Sequence, residues 1–438
     1  MSESDARMLL KEWKGDSYIF GRGALDSVGE LAKALGPTAL LVCSHSEWAR
    51  EPLETITESL EGAGVSHVKV PGSRPNCPRE DLYRMALNTA THRPHGIIAL
   101  GGGSTIDCAK AASVLATYEP AEVSRILGVD WDDACTIEPY FGTGMVTKVK
   151  SSANRSPLPV IAVQTASSSA AHLTKYSNIT DPLIGQKKLI VDDAIVPRYA
   201  VFDYEATLGA PDSLTVDGGL DGIAHLWEVF MGATGRSFYD RIERIAYIGF
   251  ELIVKNLTLA LEEGGNVEAR TALGLGTDLG GYAIMIGGTN GPHLGSFSLV
   301  DVLSHGRACA ILNPYYTVFF AQDIQGQLRT VGPIFADAGY IEEDLEGLRG
   351  GDLGEAVAEG MINFNRALGF PTTLREAGVT EEHLKRMLEA AKDPQLKMKL
   401  LNMPTPLDPD KGDIERYMRR VLESAFTGDF GLINTIER

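Results

Sequence analysis

The sequence predicts an α/β half built on a parallel sheet, followed by an all-helical half. Three observations carry this. Short apolar runs rich in β-branched residues alternate with amphipathic stretches through the first half, a glycine-rich turn follows the third of those runs, and strand signals become rare beyond Pro211. Strands alternating with helices imply a parallel sheet covered on both faces. The boundary is placed near Glu205, giving an α/β domain over 1–205 and a helical domain over 206–438.

After a short polar lead, Ala24 to Leu35 reads as a helix and Thr38 to Cys43 as a buried strand. Pro52 to Ala63 has helical spacing, Ser66 to Val70 is a second strand, Arg79 to Thr91 a helix, and Gly96 to Leu100 a third strand. That strand runs into Gly101, Gly102, Gly103 and Ser104 and then the helix Thr105 to Ala116. Glycines let the backbone approach a pyrophosphate closely, and the free amides and dipole of a helix N-terminus favour its charge. A plain tight turn would need only one glycine. Asp107 and Lys110 lie on this helix, where they also read as a first-turn acid and a solvated lysine. Tyr118 to Ser156 reads as loop with little regular structure. Leu158 to Val163 resumes the sheet, and Gln164 to His172 (QTASSSAAH) is a small-residue loop of the kind that meets ligands. Lys187 to Val191 and Ala200 to Asp203 are further short strands. Helical stretches then follow at about 214–231, 239–262, 267–286, 306–321, 353–368, 381–391 and 414–425.

The totals narrow the function. At 438 residues and 44% hydrophobic, the chain buries a large core and divides into two domains. A formal charge of −18 repels phosphate backbones and anionic lipid surfaces, which argues against nucleic-acid and membrane partners. Five cysteines with no CxxC pair suit a reducing compartment. No basic leader with an apolar core and no apolar run of ~20 residues is present, so a cytoplasmic enzyme is expected.

Asp217 to Phe230 (DGGLDGIAHLWEVF) holds the remaining chemistry. Asp221 and His225 stand four apart, which puts a carboxylate and an imidazole on one helix face, one turn apart. Such a pair alone is more often an exposed hydrogen-bonded pair than a metal site, since a site needs three or four donors. The chain offers His293 and His305, two of only nine histidines, in a segment rich in glycine and serine.

With both halves in view, the sequence resembles the iron-containing (group III) alcohol dehydrogenases, of the superfamily shared with glycerol dehydrogenase and 3-dehydroquinate synthase. GGGSTIDCAK at 101–110 matches that family's GGGSxxDxAK signature, and RPNCP at 74–78 sits where it has a turn beside the cofactor. The run at 195–230 looks like the family's passage from last strand to ligand helix, and SHGRACAILNP at 304–314 is similar to its PHGxxxAxxxP segment. The resemblance implies a Rossmann-like dinucleotide domain with a dehydroquinate synthase-like helical domain, metal ligands Asp221, His225, His293 and His305, and at least a homodimer. It implies cofactor contacts from Ser44 or His45, Asn76, Gly101, Gly102, Gly103, Ser104, Asp107, Thr165, Thr174 and Lys187 or its neighbour Lys188. Departures are also visible. The family's HxxxH pair keeps only His293, with Phe297 four residues on, so the second histidine, tied to proton movement, has no counterpart. QTASSSAAH replaces PTTAGTGSE, and His172, in place of the acid, reads as a substitute polar group in the cleft or, the favoured expectation, as a tolerated surface change. The family's acid after the first strand corresponds to Ser44 or His45; without it a 2′-phosphate is no longer repelled, and both NAD and NADP are admitted.

One carboxylate and three neutral imidazoles would leave a divalent ion one net positive charge and room for a substrate oxygen. Such an ion acts as a Lewis acid in hydride transfer between nicotinamide and a small primary alcohol or aldehyde. The resemblance favours Fe(II), with Zn(II) next. The alternative is a carbon–oxygen lyase or cyclase of the 3-dehydroquinate synthase type, which needs a Lys- and Arg-rich pocket around the metal; here the ligand segments hold only Arg307. A metal-free reductase like the maleylacetate enzymes would lack the ligand set, and a non-catalytic binding protein would need neither donors nor cradle.

Overall fold

Six strands lie side by side in one parallel sheet. The computed structural model describes residues 2–44, 46–434 and 436. In chain order the first half runs α1 (Ser2–Lys14), β1 (Tyr18–Phe20), α2 (Val28–Leu35), β2 (Thr38–Cys43), α3 (Arg50–Gly62), β3 (Ser66–Pro71), α4 (Arg79–His92), β4 (Gly96–Gly101), α5 (Gly103–Leu115), α6 (Pro120–Leu127) and α7 (Trp131–Ala134). It continues through β5 (Gly142–Thr143), α8 (Met145–Ala153), β6 (Val160–Gln164), β7 (Tyr176–Asp181), β8 (Gln186–Val191) and β9 (Tyr199–Phe202). The main sheet has the order β1-β9-β6-β4-β2-β3, and a small sheet has the order β5-β8-β7. Every pairing in the main sheet is parallel.

The near-continuous apolar reading of β4 and β6 has a direct cause: both strands are buried along their whole length. Alternate residues go to opposite faces. Ile97, Ala99, Val160 and Ala162 pack in one layer with Leu82, Met85 and Ile106 from α4 and α5. Ile98, Leu100, Ile161 and Val163 pack in the other with Val28, Ala32, Ile56 and Leu60 from α2 and α3. This is the α/β sheet covered on both faces that the alternation predicts.

Three expectations need correction. The polar lead is a helix, α1, and its residues up to Leu10 cluster with the second half, while the division between the units falls after Pro211 rather than near Glu205. The segment from Tyr118 to Ser156 is not a loop but carries α6, α7, β5 and α8. Its helices are short, and its apolar residues Val123, Ile137, Tyr140, Val146 and Val149 are spaced too widely to show a period, yet all are buried in the layer that covers α4 and α5. Pro120 opens α6, and Gly128 closes it in the left-handed region at φ 71°. Strands β1 and β7 also escape the sequence pattern, the first for its shortness and the second for its polar YSNITD composition.

The second half, from Asp212, has no strand among its described residues. It comprises α9 (Asp212–Met231), α10 (Tyr239–Glu262), α11 (Val267–Ile286), α12 (Gly291–Ser296), α13 (His305–Phe319), α14 (Gln325–Asp337), α15 (Gly350–Ala367), α16 (Glu381–Ala390), α17 (Lys397–Leu401) and α18 (Arg419–Thr427). Helix α14, polar at its start and interrupted by Pro333, has no counterpart in the sequence reading. Helix α9 is the hub: all residues from Gly218 to Met231 are buried, and it packs on α10, α11 and α13. Among the described residues no helix is long and apolar enough to cross a membrane.

The packing of the 118–156 segment gives a prediction. Ile137 is fully buried, so Ile137→Ala should lower unfolding free energy by about 2–4 kcal/mol through lost burial and a cavity. A denaturation curve matching the parent would mean that the segment is not part of the core.

Candidate metal centre and dinucleotide cradle

Because α9 is buried all round, Asp221 and His225 point into the helical unit. His293 comes from α12 and His305 from the first residue of α13. The structure brings these four residues together. The Nε2 atoms of His225, His293 and His305 each lie 3.8 Å from one oxygen, Oδ1 of Asp221. The His225 and His293 rings stack with centroids 4.8 Å apart, and His293 and His305 meet edge to face at 4.8 Å.

The hydrogen bonds behind two of the rings select their tautomers. His293 Nδ1 stands 2.6 Å from Glu228 Oε1, an acceptor, so it carries the proton and leaves Nε2 bare. Ser296 gives its one hydroxyl proton to the carbonyl of His293, at 2.8 Å, so its oxygen accepts from His305 Nδ1–H at 2.9 Å. Burial pushes the His225 imidazole down to about 4, which keeps it neutral near pH 7. Burial also drives the Glu228 carboxyl upward, opposed by the amides of Asn290 and His293 and by Lys399. Two imidazole nitrogens without a proton, from His293 and His305, and the neutral His225 ring gather around one carboxylate oxygen; such a set can donate to a divalent transition-metal ion, and the residues fit such a group.

Cys309 also falls among the donors, within 4.8 Å of Asp221, His293 and His305. Its sulfur is 3.6 Å from His293 Nδ1, the nitrogen turned toward Glu228, so it packs behind that ring. Sequence reasoning missed Glu228 and Ser296. Glu228 had a readable signal: it lies three residues beyond His225 and seven beyond Asp221, on the same face of α9. Phe297, four residues after His293, stacks on His305 with centroids 5.7 Å apart.

In the α/β unit the candidate cofactor residues gather where β2, β4 and β6 end. Ser44 follows β2, with its hydroxyl bonded to Ser46 at 2.9 Å; His45 lies outside the described residues. Gly101 to Ser104 lead from β4 into α5, and Thr165 follows β6. Asn76, at φ 65°, donates its backbone N–H to Ser104 Oγ at 3.0 Å and so ties the 74–78 turn to the cradle. Three buried hydroxyls, Thr165 Oγ1, Ser167 Oγ and Ser169 Oγ, have no hydrogen-bond partner among the described residues. A Cβ on Gly103 would come 2.5 Å from Ser169 Oγ, so the hydroxyl stands directly over the glycine turn. Amides at a helix start and unspent hydroxyls fit a pyrophosphate.

Other residues are placed differently from their simplest readings. Lys110 is fully buried rather than solvated and donates to the carbonyls of Thr174 and Tyr176 at 2.9 and 2.8 Å. Asp107 accepts from the backbone and side chain of Asn178, both at 3.0 Å, which braces β7 against α5 beneath the cradle. Lys187 is buried on the side of Asp107, whereas Lys188 points the other way and donates to Glu138 at 2.9 Å. His172 is not on the surface: it is 1% exposed, sits 3.3 Å from the Tyr18 hydroxyl and packs edge-on against Phe202.

The hydrogen bond behind His293 gives a second prediction. Glu228→Gln keeps the shape and an acceptor but removes the charge that makes the imidazole a strong donor, so metal affinity should fall about 10- to 100-fold. Competition with a chelator measures this, and an unchanged affinity would reduce Glu228 to packing.

The chain was compared with known proteins. Residues 16–204 match the profile of iron-containing alcohol dehydrogenase, and residues 215–421 that of the Fe-containing alcohol dehydrogenase family, C-terminal. It is 28% identical over 381 residues to 1,3-propanediol dehydrogenase of Citrobacter freundii, covering 85% of this chain and 90% of that one. It is 26% identical over 377 residues to NADPH-dependent butanol dehydrogenase of Clostridium saccharobutylicum, covering 84% and 87%. An archaeal halo-thermophilic Red Sea brine pool alcohol dehydrogenase shares the fold with a TM-score of 0.78 at 21% identity, over 94% of this chain and 97% of that chain. With both profiles matched across nearly all of its length, and a carboxylate–triimidazole cluster in its helical half, the chain belongs to the iron-containing alcohol dehydrogenase family.

Proposed function

We infer that this protein is a metal-dependent, NAD(P)-linked alcohol dehydrogenase that also runs as an aldehyde reductase. The observation that carries the reading is the convergence of three imidazole Nε2 atoms at 3.8 Å from one Asp221 oxygen, in a chain of this family. Asp221, His225, His293 and His305 would hold the ion; Gly101 to Ser104, Thr165, Ser167, Ser169 and Lys187 would hold the dinucleotide. When bound, the two groups supply a Lewis acid for the carbinol or carbonyl oxygen and a hydride acceptor or donor.

The chain's own residues supply position and charge. Glu228 and Ser296 fix the His293 and His305 imidazoles so that each presents a lone pair rather than a proton at Nε2. The Phe297 ring covers one face of His305 and excludes water there. The ion is proposed to be Fe(II), with Zn(II) as second choice, since a site with three imidazoles and one carboxylate accepts either. NADP is admitted beside NAD: no carboxylate stands at Ser44, and a relative 26% identical to this chain is NADPH-dependent.

The test pairs elemental analysis of anaerobically purified protein with NADH and NADPH oxidation against short aldehydes. About one ion per chain and metal-dependent turnover are expected, with both lost in Asp221→Ala while the melting transition persists. A protein that stays metal-free and inactive after reconstitution with Fe(II) or Zn(II) would end this reading. Ser44→Asp should shift the ratio of kcat/KM values toward NAD, because a carboxylate repels a 2′-phosphate and bonds the ribose hydroxyls. An unchanged NAD to NADP ratio would take Ser44 out of cofactor choice.

A further inference from the structure

The Glu228 carboxylate changes the charge of the metal centre. Asp221 with three neutral imidazoles would leave a divalent ion one net positive charge, but a second buried carboxylate directly behind His293 brings that to zero. A positive centre favours an anionic ligand over a neutral one, so the loss matters for a reaction in which the alcohol sheds its proton. A buried cation stands close by: Lys399 of α17, 4% exposed.

Lys399 meets the ligand set from two sides. Its Nζ donates to Thr289 Oγ1, and the next residue, Asn290, gives its amide to Glu228 Oε2 at 2.8 Å, so consecutive residues hold the cation and the carboxylate. The side chain of Asn402, three residues beyond Lys399, fixes Thr289 further by donating to its carbonyl at 3.1 Å. On the other side the ammonium lies 5.3 Å from the centre of the Phe297 ring, which itself stacks on His305. The groups that share its field are Glu228 and His225 on α9 and Cys309 on α13. Burial pulls the ammonium below the usual lysine range, and the Glu228 charge opposes that pull. Packing against Phe297 would be served by a methionine at far lower desolvation cost, so the charge itself calls for a reason.

Resting on the dehydrogenase reading above, we propose that Lys399 is a positioning residue of the reaction, whose ammonium cancels the Glu228 charge so that the loaded centre keeps one positive charge and draws an anion to the substrate position. The two carboxylates and the ammonium together carry one negative charge, and a divalent ion brings the centre to one positive; without Lys399 the total is zero. The cation therefore loosens the ion and strengthens its pull on an anion. These effects have opposite signs, whereas loss of a mere brace would weaken both.

The experiment measures two constants on the full chain: Co(II) affinity by competition with a chelator, and azide affinity of the Co(II)-loaded protein by the visible absorption of the ion. Lys399→Met is expected to bind Co(II) about ten-fold or more tighter and azide about ten-fold or more weaker, with kcat/KM for 1-butanol oxidation falling in step with the azide constant. Lys399→Arg, which keeps the charge, should stay near the parent in both constants. Glu228→Gln combined with Lys399→Met should bind Co(II) more tightly than Glu228→Gln alone, and serves if Lys399→Met does not fold. Weaker or unchanged Co(II) binding on loss of the ammonium would overturn the inference, reduce Lys399 to a brace and leave the dehydrogenase reading intact. So would an azide constant that is unmeasurable in the loaded parent or unmoved in the variant. A parent protein that takes up no Co(II), Zn(II) or Fe(II) and turns over no alcohol would remove the inference together with that reading.

Discussion

One carboxylate oxygen, Asp221 Oδ1, with three imidazole nitrogens at equal distance around it, is the constraint on which the helical unit depends. Polar groups buried this deeply are costly unless something gathers them to a purpose. The fold meets that cost by making α9 an axis with no exposed face over its last four turns, so that its polar residues are held by packing. The helices approach unusually closely. A Cβ on Gly280 of α11 would lie 3.2 Å from both the carbonyl of Gly222 and Cβ of His225, and Gly306 has no room for one at all. The glycines that look like helix breakers in DGGLDG and HGRACA are what let α11 and α13 reach α9, and the ligand positions follow from that approach.

The donors alone would not fix the site, because an imidazole can turn and can protonate. Glu228 addresses both. It accepts from the ring and backbone of His293 and from the Asn290 amide, while the Asn290 side chain reaches back to the Glu228 carbonyl at 2.7 Å. The entry to α12 is thus fastened to α9 at several points, and His293 has little freedom left. Lys399, buried and bonded to Thr289, braces the same segment from α17. In the α/β unit the equivalent work is done below the cradle by Lys110 and Asp107. Both bind β7 to α5, which holds the amide-bearing turn still. Within GGGSTIDCAK the glycines thus form the turn and the charged residues anchor it.

Much of this was legible in the sequence, and the limits have physical reasons. β4 and β6 read cleanly because strands buried on both faces must be apolar throughout, and the helical half read cleanly because its helices are long enough to repeat a period. The insert with α6, α7 and α8 did not, because helices of 4–9 residues bury one or two apolar side chains each and leave no periodic trace. Strand β1 is too short to alternate. Among the site residues, Asp221 and His225 announced themselves by spacing, and the glycine turn by its place after a strand. Ser296 could not be read, since its role exists only through the fold that turns the loop between α12 and α13 so that its hydroxyl meets both the His293 carbonyl and the His305 ring. His172 misled for a related reason: an imidazole in place of an acid suggests exposure, yet here its ring completes an aromatic layer with Tyr18 and Phe202.

Phe297 shows how a single replacement redistributes work. An imidazole four residues after His293 would have added a titrating group to the site; the phenyl ring instead lies nearly parallel to His305, 24° between planes, with the Lys399 ammonium 5.3 Å from its centre on a different segment. The ring therefore stiffens the most exposed of the four ligands, the one through which the centre opens. A phenyl group neither donates nor accepts a proton, so this position carries none. Polar character at the opening must then come from residues beyond the ligand set, and in the helical unit that edge is held by His305, Arg307 and Asp217. Charge near the exposed ligand lies on the facing turns of α9 and α13, where the Arg307 guanidinium and the Asp217 carboxylate hold each other in place.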